Sequence, residues 1–535
     1  MSGTTAGYAP DPPEAAPAGR RARREAERRA GARGGRLAAL LVFLPPAAAA
    51  LAVVLRGIGE RQLWRDEHAT WWAATLSLHD LSLLIRTEDV VRTPYYVLMH
   101  AWIAVAGDSP TAMRLPAALA MASAAGLTAL LGRRLFTTRT GLLAGFAFAV
   151  VPSVTRYGQE ILPYAFAVAA VLLSTLLLAR ALRQPGLKVW AGYALTVPLI
   201  GWSDLTAVTV LGAHLAMVLA ARRSGDRIAG WAYTAAVVPG LCFVIPTAVQ
   251  GAGQGTPGAV RGPGAGTFPE DLFGSWAVAV PVLALGLTGL CFAGRHALPA
   301  IVWIALPPLA ACVTAPEQRL PLPAGPLLCT VPAWLLLAAV AVGRLAGPVA
   351  GPRAGAGAAA RRGMGWVLAA AAVAGLTWQA LPGLREARAD QRGEPDFRGA
   401  ARIVEAGQRT GDGVVFSGVT AARRAMAYEL RDDPGRPRDV LMYRTPQRLG
   451  SYDAQECPRP ATCLARARRL WLVSPSGGQP LSGMPKATAR TIRRDFRTVS
   501  TRELTGLRLL LLERTRGTSG DPAGKEDPAR RKVHV

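Results

Sequence analysis

Lysine, cysteine and acidic residues are all scarce in this chain of 535 residues. Only four of the 61 basic residues are lysine, a compositional bias from which no mechanism follows. Six cysteines exclude a scaffold built on disulfides. Acids number 35, for a net charge of +26, and the apolar blocks contain almost none of them. Such a charge would suggest a nucleic-acid partner if it lay on one folded face. Much of it instead falls in short clusters between apolar blocks, as the positive-inside rule expects, so no nucleic-acid partner is expected. Apolar residues are what the chain has in plenty: 51% hydrophobic, mean hydropathy +0.23, gathered in blocks of 15 to 20. That pattern excludes an ordinary soluble enzyme and predicts a polytopic α-helical membrane protein.

Residues 1–36 are rich in Ala, Pro and Arg, with eight arginines from Arg20 to Arg36, and read as a disordered cytoplasmic tail. Leu37–Leu55 is the first span, retained as an anchor since no small-residue cleavage site follows. Further blocks near 115–131, 141–155, 161–179, 189–202, 205–221, 229–249, 275–293, 297–315, 325–343 and 363–380 bring the expectation to about eleven spans within residues 37–382. Basic clusters, among them Arg133/Arg134/Arg139, Arg180/Arg183/Lys188 and Arg222/Arg223/Arg227, fall in every second connection. The N-terminus is therefore expected inside a plasma membrane and the first loop, 56–114, outside. Pro94–Ala106 is apolar but 13 residues long, carries Tyr95, Tyr96, His100 and Trp102, and reads as a helix lying along the outer surface.

From residue 383 the composition turns polar. Strand-like runs (Gly413–Ser417, Asp439–Tyr443, Leu470–Ser474, Leu507–Leu512) alternate with helical patterns such as Phe397–Gln408. They predict a small extracytoplasmic α/β domain over 383–515, followed by a disordered tail over 516–535. Outside the cell, Cys457 and Cys463 could pair across a short loop.

The sharpest feature is Trp64-Arg65-Asp66-Glu67-His68, just beyond the first span. Adjacent carboxylates at a bilayer edge are costly to desolvate unless paired or used. One could take a proton from an acceptor hydroxyl, or the pair could hold a divalent cation; a solvated loop start is the plain alternative. A second cluster, Arg156-Tyr157-Gly158-Gln159-Glu160 with Tyr164, occupies a short outer turn. There Glu160 could add an acid and Arg156 could meet an anionic headgroup, or both could simply anchor a span end. Arg319, in Pro316-Glu317-Gln318-Arg319, is a third candidate for a phosphate partner, or a cap. Asp204 reads as an ordinary turn aspartate. His68, His79 and His100 lack the spacing of HExxH, and the glycine-rich run at 251–266 is not followed by GK[ST], so neither a structural metal nor a phosphate cradle is expected.

Taken in order, these segments resemble a family. LWRDEHATWW, RTPYYVLMHAWIAVAGDSPTAMRLPAALA, GRRLFTTRTGLLAGFAFAVVPSVTRYGQEILPYA, EQRLPLPAGPLL and DFRGAARIVEAGQRTGDGVVF are similar to successive elements of GT-C class membrane glycosyltransferases. The nearest group is glycosyltransferase family 39, related to protein O-mannosyltransferases and lipid A aminoarabinose transferases, in its actinobacterial form. The resemblance implies inverting transfer of a sugar, most often mannose, from a polyprenyl-phosphate carrier to a glycan, lipid or protein acceptor at the outer face. It implies Asp66 as catalytic carboxylate with Glu67 supporting it or contacting the acceptor. Arg156, Arg319 and Arg92 would then stabilise the leaving phosphate, with Tyr95 and Tyr96 shaping the pocket. Arg92 stands where the family usually has histidine, Leu162 where it has arginine, and Asp204 where many relatives have histidine. A lipid-linked-sugar transporter would want charges at mid-membrane, which the spans lack. A non-catalytic envelope-assembly protein would depend on its outer domain and not on Asp66.

Overall fold

A computed structural model of the chain describes residues 17–223, 228–254, 268–314, 324–345, 356–389, 394–419 and 421–515. Helix α1 (Pro17–Leu55) opens it. The basic stretch expected to be disordered is thus helical from Pro17, since Ala, Arg and Glu are strong helix formers and an apolar helix continues from them. A turn leads to α2 (Arg65–Thr75), α3 (Leu78–Thr87) and α4 (Thr93–Ala106). The first outer loop is therefore three short helices, of which only the last was anticipated. Ser77 caps α3 by accepting from the Asp80 amide at 3.1 Å, and Pro94 opens the first turn of α4, where its missing N–H costs nothing.

The helical body continues through α5 (Pro110–Leu135), α6 (Thr138–Val150), α7 (Pro152–Gly158), α8 (Tyr164–Ala181), α9 (Leu187–Ser203), α10 (Val210–Arg223), α11 (Ile228–Gln254) and α12 (Phe268–Phe273). It closes with α13 (Trp276–Phe292), α14 (Ala297–Thr314), α15 (Ala324–Leu327), α16 (Val331–Leu345) and α17 (Ala356–Arg388). Each of the eleven apolar blocks forms a helix. Seven are long and apolar enough to cross a membrane: Gly34–Leu55, Pro110–Leu135, Tyr164–Ala181, Ile228–Gln254, Gly294–Val313, Ala324–Leu345 and Gly363–Arg388. The helices α6, α9, α10 and α13, of 13, 17, 14 and 17 residues, fall short of that length. The architecture is that of a multi-pass membrane protein.

Close helix crossings rest on small residues, as membrane helices require. A Cβ on Gly141 would stand 2.2 Å from the Ala129 carbonyl oxygen of α5, so α5 and α6 touch backbone to backbone.

The helix α17 runs to Arg388, past the boundary expected at 382, and the outer domain begins at the Asp396 cap, whose carboxylate accepts from the Gly399 amide at 2.8 Å. Its elements are α18 (Phe397–Gly407), β1 (Gly413–Phe416), α19 (Ala422–Glu429), β2 (Arg438–Asp439), β3 (Met442–Arg444), α20 (Pro446–Leu449), β4 (Gln455–Glu456), α21 (Pro460–Leu464), β5 (Arg469–Pro475), α22 (Lys486–Asp495), β6 (Phe496–Leu504) and β7 (Leu507–Arg514). The five-stranded sheet has the order β2-β1-β5-β7-β6, parallel through β5 and antiparallel beyond it. The run Asp439–Tyr443 was expected to be one strand; it divides between this sheet and the small β3–β4 pair. The polar edge strand β6 was not anticipated, because most of its side chains are exposed and it lacks apolar alternation. Cys457 and Cys463 form a disulfide. The tail from residue 516 lies outside the described residues.

The outer domain packs on the first loop through a shared apolar cluster. Trp71, Trp72, Leu81, Leu84, Tyr95 and Tyr96 meet Tyr428 and Tyr452 from the domain. Burying rings of this size against one another fixes the loop helices between membrane and domain.

Candidate active site

The two adjacent carboxylates at the start of α2 meet different surroundings. Glu67 is completely buried. Arg114 of α5 donates to it from Nε at 3.0 Å and from Nη2 at 2.8 Å, and the backbone amides of Ile161 and Trp64 add bonds of 3.0 and 3.2 Å. Burial raises the Glu67 pKa, but the charge and hydrogen bonds of Arg114 outweigh it and leave the group below its ordinary range. Arg114 also donates to the carbonyls of Ile58, Arg61 and Gln62 at 2.9, 3.0 and 3.2 Å, so the turn after α1 wraps its guanidinium. Glu67 is thus a strut. With both oxygens engaged it is out of reach of an acceptor, and the pair Asp66/Glu67 does not offer two free carboxylates to a cation.

Asp66, one residue earlier, keeps 29% of its side chain exposed and lies 3.5 Å from the Arg65 guanidinium. Its charge also acts on Arg92 at the start of α4, Tyr164 at the start of α8 and Glu394 in the segment leading to the outer domain. Burial lowers the Arg92 pKa, but Tyr96, Asp89, Tyr164 and Asp66 together hold it well above the ordinary arginine value. Asp204, in the break after α9, faces the same Arg92 and Tyr164. Burial pushes its carboxyl up to about 7, against hydrogen bonds from Thr206 and Ala207 and the charge of Arg92. Asp66, Asp204, Arg92 and Tyr164 thus form one electrostatically coupled group.

Of the second expected cluster, Tyr164 is coupled to Asp66, while Arg156, Gln159 and Glu160 make other pairings. Gln159 and Glu160 are fully buried. Gln159 ties the end of α1 by donating to Val54 and Arg56 carbonyls at 2.6 and 2.9 Å. Glu160 meets Arg156 at 3.3 Å and Arg61 at 3.8 Å. Arg156 keeps 42% of its side chain exposed, but its neighbours are Glu160, Tyr157 and Asp271, a different set from those around Asp66. Tyr95 is buried against Phe166, and Tyr96 is turned to Asp89. Arg319 lies outside the described residues. Of the expected cations, Arg92 is the one that the structure brings to Asp66. No group of three His, Cys, Asp or Glu side chains suited to a metal occurs among the described residues.

Sequence reasoning missed Arg114 and Glu394 and read Asp204 as an ordinary turn aspartate. Arg114 had a usable signal, a lone charge in the apolar run MRLPAALA; Glu394 had none.

Residues 93–249 match the family model of dolichyl-phosphate-mannose-protein mannosyltransferase, a segment that starts after Asp66. Among solved structures, ArnT from Cupriavidus metallidurans in the apo state aligns with a TM-score of 0.53 at 12% identity, over 90% of this chain and 98% of that one. The same protein bound to undecaprenyl phosphate aligns at 0.50 and 14% identity, over 87% and 97%. The chain shares the fold of ArnT. A search of curated proteins by sequence returns no match.

Proposed function

We propose that this glycosyltransferase moves a sugar, mannose in the first instance, from a polyprenyl-phosphate donor to a hydroxyl acceptor at the outer membrane face, with inversion. Asp66 takes the acceptor proton as its oxygen attacks the anomeric carbon. The bond from that carbon to the donor phosphate breaks, and Arg92 receives the developing charge on the phosphate. A phosphate leaves as a stable anion, so a fixed cation serves it better than a general acid. Tyr164 and Asp204 border the space in which the sugar would lie. The observation that carries this reading is the unequal fate of neighbours: Glu67 is consumed by four hydrogen bonds, while Asp66 stays partly open beside Arg92. The mannosyltransferase family model and the undecaprenyl phosphate bound by ArnT support the donor class.

The outward placement of the loop and the C-terminal domain follows from the basic clusters, and the disulfide agrees with an oxidising compartment. The test uses purified protein in lipid with polyprenyl-phosphate-[radiolabelled]mannose and envelope extract. Wild type should transfer label and Asp66→Asn should not, at equal expression. Full transfer by Asp66→Asn would overturn the base assignment, and no transfer by wild type would overturn mannose as the sugar.

A further inference from the structure

The outer domain reaches the turn before α4 through residues 450–452. Residues 450–452 are fastened along the end of α3 and the turn before α4. The Tyr452 amide donates to Glu88 Oε2 at 3.1 Å, and the Thr87 hydroxyl donates to the Gly450 carbonyl. Gly450, at φ +60°, lies so close to the Leu83 backbone that a Cβ there would stand 2.9 Å from it. Arg424 donates to the Tyr452 carbonyl at 2.6 Å with its guanidinium over the phenol ring.

The buried Tyr452 hydroxyl lies 3.0 Å from Asp89 Oδ2 and 2.8 Å from the Tyr96 hydroxyl, which is itself 2.7 Å from the same carboxylate oxygen. Two hydroxyl protons serve three close contacts, so the two phenols and Asp89 form one hydrogen-bonded group that holds the carboxylate in one orientation. The other oxygen of Asp89 accepts the backbone amide of Arg92 at 3.3 Å, and its carbonyl accepts the Thr93 hydroxyl at 3.3 Å. Asp89 thus fixes the turn from which the Arg92 side chain leaves for the site.

We infer that Tyr452 of the outer domain is a positioning residue for donor binding, acting through Asp89 to aim Arg92 at the donor phosphate. The inference rests on the role given to Arg92 above. It assigns the domain work at the membrane surface whatever the acceptor is. Loss of the hydroxyl leaves Asp89 with Tyr96 alone and frees the turn to sample other orientations. Removing one hydrogen bond to a buried charge should weaken donor binding about ten-fold.

The experiment measures binding of undecaprenyl phosphate to the full chain in nanodiscs. It compares wild type, Tyr452→Phe, Arg92→Gln and the double variant, with thermal unfolding recorded for each. Tyr452→Phe should weaken binding about ten-fold and Arg92→Gln at least as much, while the double variant should match Arg92→Gln alone. A purely structural Tyr452 would lower the unfolding temperature and give effects that multiply in the double variant, which overturns the proposal. If Arg92→Gln weakens binding and Tyr452→Phe does not, the proposal falls and the reading of Arg92 stands. If Arg92→Gln binds as wild type does, or wild type does not bind at all, the reading of the site falls and takes the proposal with it.

Discussion

Removing the charge of Glu67 and of Asp66 in turn separates structure from chemistry at two consecutive positions. In Glu67→Gln one of the two oxygens becomes an NH2 group. Each oxygen now accepts two donors: Oε1 from Arg114 Nε and the Ile161 amide, Oε2 from Arg114 Nη2 and the Trp64 amide. Whichever oxygen is replaced, two donors then face a donor, and Arg114 stays buried with its charge uncompensated. Two lost hydrogen bonds to charged groups at about 1.5–3 kcal/mol each give about 3–6 kcal/mol. That agrees with about 3–5 kcal/mol for breaking a buried ion pair. Thermal unfolding of the purified protein in lipid should fall by on the order of 5–10 °C. In Asp66→Asn the same charge is lost from a partly exposed group, so unfolding should stay within about 1–2 °C of wild type while transfer disappears. The reasoning is refuted if Glu67→Gln unfolds as wild type does but loses activity, since Glu67 would then be a chemical group.

Asp204 is held protonated by burial, so its neutral form stabilises the fold at low pH and that contribution is lost as pH rises toward about 7. The unfolding temperature of wild type should therefore drop relative to Asp204→Asn between pH 5 and pH 8; parallel curves would show that Thr206, Ala207, Arg92 and Tyr164 hold it ionised instead. Gly141→Val should abolish accumulation of folded protein, because its Cβ would meet the Ala129 carbonyl at 2.2 Å; wild-type yield and melting would contradict the α5–α6 packing. Replacing Cys457 and Cys463 together by serine should cost the outer domain about 2 kcal/mol, given the sequence separation of 6. Unchanged urea resistance of that domain, read by limited proteolysis, would count against it.

The linear sequence determined what depends on neighbours along the chain. Runs of apolar residues specified the helices of the membrane body, and the change of composition near residue 383 marked the outer domain to within about a dozen residues. Short continuous apolar runs located β1, β5 and β7. The edge strand β6 escaped because an edge with solvent on it carries no such run. Helices α2 and α3 escaped because their burial comes from the outer domain, more than 300 residues away.

The candidate site divides along the same line. WRDEH advertised itself as a cluster of charge beside a membrane, but which carboxylate is free cannot be read from two adjacent letters. Successive residues on a helix point about 100° apart, so one faces Arg114 and the other the open side. Likewise Arg156 and Arg92 were equivalent candidates in sequence; Arg156 pairs locally with Glu160 four residues on, and the fold alone couples Arg92 to Asp66. Hydropathy is a property of segments. Pairing between side chains brought together from residues 67, 114 and 161, or 89, 96 and 452, is a property of the packed molecule, because each charge is buried only when its partner arrives.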